Sequence, residues 1–594
     1  MRGEGDRNAS LLPHCEESPA LGKLRSLNGQ RFRLDSSARV GLAIIGGLLS
    51  AAAFPKIGVA GFAWVAPGLI LSSALGANGR RAFRLGYAAG LAYFLTSLYW
   101  LLNIPVAKIF PSLAWAGLSA FLAVYMGCWV WLCWRLAPGQ PMGSAASAES
   151  PGFRDGCERL LAAHWGQRTL WALSCAALWV TWEMVQARLF TGFPWNLLGA
   201  SQYRMLPLIQ IASWTGIYGV SFLAVWFSVS GLSAVAYLFC LAQQSRRWIG
   251  GELALPFLVV MAIIYFGVRV VVAPSTGPSL KLALVQPSIP QRWIWSPADS
   301  ARRFEQLLAL SEQALTNRPQ VLVWPEAAAP GFIRWQTNIY QAVSNLVQRH
   351  QVWLVMGGDD AVPRNDAPDA PMDAYNSSFL VSPQGALQAV YRKQRLVIFG
   401  EYLPLHRWLP FLEEWTGMGS FTAGRAPVPF RIPELGVTMS VLICFEDIFP
   451  HHTRAYVEED TDFLLNLTNN GWFGESAAQW QHAASAIFRA VENRVPLVRC
   501  ANNGLTCLVD PFGRVSQVFF PGSNDIYGVG VKVVEVPLLG GHPRTPTFYR
   551  RFGDVFGWSC VLWSGLLVGE TWLRAGRQRR FIAGQKDPER SAGQ

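Results

Sequence analysis

The feature that most constrains this chain is a set of eight long stretches without a charged residue. A helix of about 20 apolar residues spans the hydrocarbon core of a membrane, and several stretches reach that length. The shorter ones could instead be buried helices of a soluble core, but so many in succession favour membrane helices. The stretches are Val40–Pro55, Ile57–Gly79, Leu85–Ala107, Ile109–Trp134, Thr169–Trp182, Met205–Ser245, Leu253–Val268 and Val555–Gly569.

The overall composition agrees with a membrane environment. Hydrophobic residues make up 51% of the 594 residues and charged residues only 15%, whereas soluble chains carry roughly 25% charged residues. This composition excludes a disordered, collagen-like or disulfide-scaffold protein and argues against a purely soluble enzyme. The net charge of +12 fits basic cytoplasmic loops and tails better than nucleic-acid binding. The ten cysteines form no CxxC pair, so neither a zinc site nor a disulfide framework is predicted.

The positions of Lys and Arg predict the orientation of these helices. Basic residues cluster in the N-terminal tail, at 80–84, at 246–247 and in the C-terminal tail. If eight helices cross the membrane, all four clusters fall on one side, and the positive-inside rule makes that side cytoplasmic. Within Met205–Ser245 we expect an interfacial or re-entrant arm followed by one helix from about Val220 to Ala242. The large segment after the seventh helix then lies outside, which in a bacterium is the periplasm.

The predicted domains follow from this count. Residues 1–39 form a basic cytoplasmic tail, which lacks the compact apolar core of a signal peptide. Residues 40–274 hold transmembrane helices 1–7, with a polar cytoplasmic loop at 138–168. Residues 275–545 form the extramembrane domain, 553–573 the eighth transmembrane helix, and 574–594 a second basic cytoplasmic tail.

The extramembrane segment has the pattern of an α/β domain. Short β-branched or apolar runs alternate with amphipathic segments, which indicates a largely buried sheet covered by helices. The candidate strands are Leu282–Gln286, Val321–Trp324, Trp353–Gly357, Val437–Ile443, Phe463–Leu467, Leu497–Ala501 and Cys507–Asp510. The candidate helices are Ala301–Leu315, Ile339–His350 and Gln479–Asn493.

Three places in this domain carry residues suited to catalysis. Glu326 follows an apolar strand, where α/β sites lie; Lys393 precedes a turn that contains Glu401; and Cys444 ends another strand before Phe445 and Glu446. A cysteine in a sharp turn after a strand has the geometry of a nucleophile elbow. Taken singly, each has a structural explanation, because a lone cysteine is usually a small buried side chain. The occurrence of all three residues, in the order Glu–Lys–Cys, favours the catalytic interpretation.

Several motifs resemble the nitrilase, or carbon–nitrogen hydrolase, superfamily with its Glu–Lys–Cys triad. The membrane context narrows the resemblance to the apolipoprotein N-acyltransferase family, whose seven helices, nitrilase-like domain and eighth helix match nearly the whole chain. A long basic N-terminal tail and the 138–168 insert depart from the family pattern. The motifs are TGFPWNLLG at 191–199, LVQPSIPQRWIW at 284–295, VWPEAA at 323–328, YRKQRLVIFGEYLP at 391–404, ICFEDIFP at 443–450 and NLTNNGWFG at 466–474.

The resemblance implies a fold and a set of roles. The domain should be a periplasmic α-β-β-α sandwich, with Cys444 as nucleophile, Glu326 as general base and Lys393 as the oxyanion-stabilising cation. Phe445 would add a backbone N–H to the oxyanion site. The remaining family positions are Glu401, which would hold Lys393 or a substrate amine, Glu446 as a second supporting acid, and Trp295 on an arm near the entrance.

The implied reaction is a ping-pong acyl transfer in a bacterial inner membrane. A phospholipid, expected to be phosphatidylethanolamine, would acylate Cys444 as a thioester, and the N-terminal amine of a diacylglyceryl-cysteine apolipoprotein would accept the acyl chain. No metal or organic cofactor is expected, and the adjacent His451 and His452 do not match the usual spacing of metal ligands. No nucleic-acid partner is expected either. We expect a monomer.

Two other functions stay open from the sequence. A membrane-tethered amidase would hydrolyse a C–N bond and pass the acyl group to water, and the triad alone does not distinguish it. A non-enzymatic transporter or scaffold would need no triad. The membrane arrangement with TGFPWNLLG, together with the intact triad residues, favours the acyltransferase.

Overall fold

The computed structural model describes residues 35–106, 109–140, 152–240, 250–271, 277–294, 296–364, 371–403, 421–520 and 525–585. Most of the basic N-terminal tail, part of the polar loop at 138–168 and the last nine residues lie outside these ranges. Trp295, expected near the entrance, also lies outside them.

Each of the eight uncharged stretches contains a helix. The second differs most from expectation, because Ile57–Gly79 forms only a short 3-10 segment and the eight-residue helix Ala66–Ser73. At 1.5 Å per residue that helix is about 12 Å long, well short of a 30 Å hydrocarbon core. The eight helices are Ser36–Ala52, Ala66–Ser73, Gly79–Ser97, Ile109–Leu136, Trp165–Gln186, Ile217–Cys240, Gly250–Val271 and Val555–Gln585.

Three helices of the described ranges are both long and apolar enough to cross a membrane. They are Ile109–Leu136, Ile217–Ala236 and Glu252–Val271. The number of eight crossings and their orientation therefore stay predictions.

Two predicted boundaries in the helical part can be compared with the structure. In Met205–Ser245, two short helices, Leu206–Ile209 and Ala212–Thr215, precede the long helix, as expected for an arm followed by one helix. The last helix continues to Gln585, past the predicted end at 573. Arg and Gln are good helix formers, so a change from apolar to basic residues does not end a helix.

The segment 279–537, here called the two-sheet domain, contains two six-stranded sheets. The strands are β1 Ser279–Gln286, β2 Val321–Val323, β3 Trp353–Pro363, β4 Met372–Val381, β5 Leu387–Arg392, β6 Pro429–Ile432, β7 Val437–Ile443, β8 Phe463–Thr468, β9 Leu497–Ala501, β10 Cys507–Val509, β11 Val515–Ser516 and β12 Gly530–Pro537. The first sheet has the strand order β12-β1-β2-β3-β4-β5 and the second β11-β10-β9-β8-β7-β6.

The layers follow helix–sheet–sheet–helix, in agreement with the expected sandwich. Helices Ser300–Leu315 and Thr337–His350 pack on the outer face of the first sheet, with Leu307, Val343 and Leu354 in their shared core. Helix Ala478–Asn493 covers the second sheet and also contacts the helical part of the chain. Every residue of that helix except Trp480 is buried, so it lies between the two parts of the molecule.

Sheet connectivity places the predicted site residues. Strands β1, β2 and β3 are parallel, and so are β7, β8 and β9. The carboxyl ends of parallel strands meet at one edge, where ligands bind in α/β domains. The last strand, β12, pairs antiparallel with the first, from Ser279 opposite Pro537 to Gln286 opposite Gly530.

Candidate active site

Three strand ends bring Glu326, Lys393 and Cys444 into one buried cluster. Glu326 follows β2, Lys393 follows β5 directly, and Cys444 follows β7 directly. The ammonium Nζ of Lys393 lies 3.3 Å from Glu326 Oε1 and 2.8 Å from Glu401 Oε1. Only 1% of Lys393 is exposed. A lysine this deeply buried stays charged only when carboxylates are close, and here two of them flank it.

Polar groups of the backbone and of Asn376 fix the two carboxylates. The Asn376 amide nitrogen Nδ2 donates to Glu326 Oε1 at 3.0 Å and to Glu401 Oε1 at 2.8 Å. The second oxygen of Glu326 accepts from the Asn469 N–H at 2.8 Å, and that of Glu401 from the Val397 N–H at 2.8 Å. Both acids are therefore held in place before any substrate arrives, which is what a preorganised site requires.

Cys444 occupies a strained turn. Its φ of 56° lies in the left-handed region, which costs free energy for a residue other than glycine. Its carbonyl accepts from Asn466 Nδ2 at 2.8 Å, and the Thr468 hydroxyl donates to its sulfur at 3.7 Å. Such a turn after a buried strand is the nucleophile-elbow geometry expected from the sequence.

Electrostatics set the protonation of the cluster. Burial raises the pKa of the Cys444 thiol, the Glu326 carboxylate adds to this, and Lys393 acts against it. Burial alone would lower the pKa of Lys393, but the carboxylates of Glu401 and Glu326 outweigh it and raise that pKa. The resting cluster therefore holds a thiol, an ammonium and acceptors for the thiol proton.

Glu446 lies behind the elbow and is fully buried. Its Oε2 accepts from the Ile443 N–H at 2.7 Å, and its Oε1 from the N–H groups of Gln394 and Arg395 at 2.8 and 3.1 Å. The Tyr391 hydroxyl also contacts both oxygens. Glu446 thus links the turn that carries Cys444 to the segment that carries Lys393, so the structure places it as a connection between these elements.

A fourth acid, Asp359, lies beside the cluster. It stands opposite Asn376 in the β3–β4 register, so both side chains share one face of the sheet. Burial raises the pKa of Asp359 to about 7; Arg303 opposes the shift, and Glu401 and Glu326 add to it. The Arg303 atoms Nε and Nη1 are buried without a hydrogen-bond partner.

A cavity of about 900 Å³ lies beside the cluster. It is lined by Gln394 and Phe445, the residues that follow Lys393 and Cys444, and by Thr191 from the helical part. Lys393 Nζ lies 5.3 Å from the centre of the Phe445 ring. The Phe445 side chain therefore contacts the cluster and lines the cavity, which is in the roughly 300–1,000 Å³ range of small-ligand sites.

The sequence predicted the triad and the two supporting glutamates that the structure brings together here, but it missed several residues that contact them. Thr468 and Asn469 belong to the NLTNNGWFG motif, yet their contacts were not predicted, and Asn376 and Asp359 carried no recognisable signal. Within the described ranges, no group of three or more His, Cys, Asp or Glu side chains is arranged to hold a metal ion.

Family models match both parts of the chain. Residues 46–230 match the apolipoprotein N-acyltransferase N-terminal domain, and residues 281–521 match the carbon–nitrogen hydrolase domain.

Individual proteins give the same result. An apolipoprotein N-acyltransferase of Geobacter metallireducens is 34% identical over 90% of this chain and 95% of its own length. The protein of that name from Brucella melitensis biotype 1 is 30% identical over 94% and 99%. Among solved structures, an amidase from Nesterenkonia sp. matches at 18% identity with a TM-score of 0.33, covering 44% of this chain and 92% of that chain; a likeness at this level says nothing about activity. From the family models and these full-length relatives, the chain belongs to the apolipoprotein N-acyltransferase family.

Proposed function

We propose that this chain transfers an acyl group from a membrane phospholipid, through a thioester on Cys444, to the N-terminal amine of diacylglyceryl-cysteine apolipoproteins. The family supports the acyl transfer to lipoproteins. The observation that supports the residue roles is the buried Lys393, held between Glu326 and Glu401 beside the strained Cys444.

In the first half-reaction, Cys444 Sγ attacks the ester carbonyl of the donor and its proton moves to Glu326. The Lys393 ammonium, with the Phe445 N–H, stabilises the negative charge that develops on the carbonyl oxygen. When the C–O bond breaks, Glu326 returns the proton to the departing alkoxide. The products are the Cys444 thioester and a lysophospholipid.

In the second half-reaction, the neutral amine of the apolipoprotein attacks the thioester carbonyl. A C–N bond forms, the C–S bond breaks, and Glu326 accepts the proton that the amine loses. That proton then returns to the sulfur, which restores the resting thiol. Because a thioester is activated toward amines, no further cofactor is required for the transfer.

The placement of the molecule belongs to this proposal. The proposed placement is the one predicted from the sequence. Residues 40–274 and 553–573 provide eight crossings of the bacterial inner membrane, the second of them including the 3-10 segment Ala60–Trp64 before the short helix Ala66–Ser73. The domain at 275–545 faces the periplasm, and both basic tails are cytoplasmic. A monomer uses phosphatidylethanolamine as donor. The distribution of Lys and Arg supports this orientation.

Mass spectrometry of the purified protein incubated with phosphatidylethanolamine tests the first half-reaction. We expect an acyl-sized mass gain on the Cys444 peptide that hydroxylamine removes. Cys444→Ala should abolish it, whereas the matched control Cys500→Ala, at a buried cysteine of the second sheet, should keep it. Adding a diacylglyceryl-cysteine peptide should move the acyl group to its amine. A folded wild type without an adduct refutes the thioester, and release of free fatty acid alone shows that the acyl group passes to water and not to the amine.

A further inference from the structure

The cavity beside Phe445 has an excess of positive charge. Three arginines line it, Arg364, Arg395 and Arg425, and among its described lining residues only Asp373 is acidic. The excess depends on which of these arginines are neutralised by a carboxylate.

Arg364 is neutralised. Its Nη2 and Nε lie 2.8 and 3.1 Å from Asp373 Oδ1. An arginine already paired with a carboxylate contributes little net charge to the cavity.

The charge of Arg395 is not neutralised by a carboxylate of the described residues. Its guanidinium donates to the Thr191 carbonyl at 3.3 Å, contacts His451 Nε2 at 3.2 Å, and lies 5.3 Å from the centre of the Phe449 ring. Burial, then the cations Arg188 and Arg395, lower the pKa of His451 to about 3, so this imidazole is neutral and accepts a hydrogen bond from Arg395. No carboxylate of the described residues forms an ion pair with the Arg395 side chain.

Arg425 is exposed and makes no hydrogen bond or ion pair with the part of the chain that the structure describes. Guanidinium groups without a carboxylate partner suit phosphate, because their fixed N–H donors match its oxygens. Arg395 and Arg425 therefore offer two unneutralised cations to one cavity.

The position of these cations relates them to the nucleophile. Arg395 is two residues beyond Lys393, and the cavity reaches from Phe445, next to Cys444, to Thr191 of the helical part. In a glycerophospholipid the phosphate is joined to the reacting ester through the glycerol backbone. A donor whose ester carbonyl lies at Cys444 would thus extend its phosphate into this cavity.

We propose that Arg395 and Arg425 form a subsite for the phosphodiester of the acyl donor, an inference that rests on the proposed function. The acceptor, a diacylglyceryl-cysteine peptide, carries no phosphate. The subsite therefore acts in the first half-reaction only.

The test compares two acyl donors in the full-length protein, phosphatidylethanolamine and the phosphate-free p-nitrophenyl palmitate. Arg425→Gln should slow thioester formation from the phospholipid by about 10- to 100-fold, the value of one or two charge-assisted hydrogen bonds. For the same variant, the rate of thioester formation from the nitrophenyl ester should stay within about twofold of wild type. The rate of transfer from a preformed thioester to a lipopeptide should do so as well. Arg395→Gln should follow the same pattern. Arg349→Gln, at an exposed arginine of helix Thr337–His350 that does not line the cavity, is the matched control and should affect neither donor.

Two outcomes overturn the subsite. An Arg425→Gln protein with unchanged phospholipid acylation shows that no phosphate binds there, and an equal loss with both donors shows that the arginine supports the cluster and not the donor. Because Arg425 is exposed and makes no hydrogen bond or ion pair in the described part of the chain, its substitution keeps the test valid if Arg395→Gln misfolds. A wild type that is acylated by neither donor overturns the proposed function itself, and the subsite with it.

Discussion

At the scale of single residues, the site contains several carboxyl groups that lie close to one another. Glu326 and Glu401 both contact Lys393 and both accept from Asn376. Asp359 stands opposite that asparagine and shares its face of the sheet. Burial, and then the carboxylates of Glu401 and Glu326, raise the pKa of Asp359 to about 7 against the opposing effect of Arg303, so we expect Asp359 to take up a proton as the pH falls through neutrality.

Asp359→Asn should change how stability depends on pH. The folded pKa of Asp359, about 7, is above the roughly 3.9 of an unfolded aspartate. Between these values the folded protein holds a proton that the unfolded chain releases, so Asp359 stabilises the fold at low pH, and this contribution is lost as the pH rises through 7. We therefore expect the variant to match wild type near pH 4 and to be more stable at pH 8, by about 1–4 kcal/mol.

Melting temperatures measured in detergent across that pH range provide the check. Glu305→Gln, at an exposed glutamate of helix Ser300–Leu315, is the matched control and should leave the wild-type pH dependence unchanged. If the curves of wild type and Asp359→Asn run parallel from pH 4 to 8, Asp359 does not titrate in this range.

The sequence pointed to the acids and the thiol but not to the residues around them. Glu326, Lys393, Glu401 and Cys444 stand in motifs with their own chemistry. Asn376 and Asp359 acquire a role only through the pairing of β3 with β4, and β4 was not predicted because Met372–Val381 contains Asp373, Asn376, Ser377 and Ser378. Polar residues on a strand obscure its apolar alternation when that strand faces a site.

At the scale of elements, helix Ala478–Asn493 joins the two-sheet domain to the helical part. Gln481 makes five hydrogen bonds across this junction. Its Oε1 accepts from the indole N–H groups of Trp100 and Trp195 at 3.0 and 2.9 Å and from Asn196 Nδ2 at 3.4 Å, and its Nε2 donates to the carbonyls of Pro55 and Ser97 at 2.9 and 3.3 Å. The helix was predicted almost to the residue, but its burial on all sides was not, because a polar stripe predicts exposure.

Gln481→Leu should destabilise the molecule by about 2–5 kcal/mol, because it leaves two buried indole donors without an acceptor. The measurement is thermal unfolding in detergent, followed by the rate of Cys444 acylation below the melting temperature. The same substitution at the exposed Gln348 should cost little. A Gln481→Leu protein as stable as wild type would show that this junction is not held by these hydrogen bonds.

At the scale of the whole molecule, the division into parts was predicted better than their relation to a membrane. The change from long uncharged stretches to alternating short strands predicted where the two-sheet domain begins. The lengths of the helices were predicted less well, as the short helix Ala66–Ser73 and the long helix Val555–Gln585 show. A run of apolar residues indicates that a segment is shielded from water, and both lipid and a protein core provide that shielding.

Orientation is tested with a membrane-impermeant maleimide on spheroplasts. A cysteine introduced as Glu434→Cys, in an exposed turn of the two-sheet domain, should be labelled above the background of the unsubstituted chain. Arg80→Cys, at an exposed position of a predicted cytoplasmic connection, should be labelled only after the membrane is opened. The opposite labelling pattern would place the two-sheet domain in the cytoplasm.

The pairing of β12 with β1 has a consequence for the modular construction of the molecule. Ser279 and Pro537 face each other across this pair, so the chain enters and leaves the two-sheet domain at neighbouring points. A module with adjacent ends can be inserted into one connection of a host protein without separating the helices on either side. The two-sheet domain thus has the geometry of an inserted module, and the helix that follows it, Val555–Gln585, packs against Trp165–Gln186 of the part that precedes it.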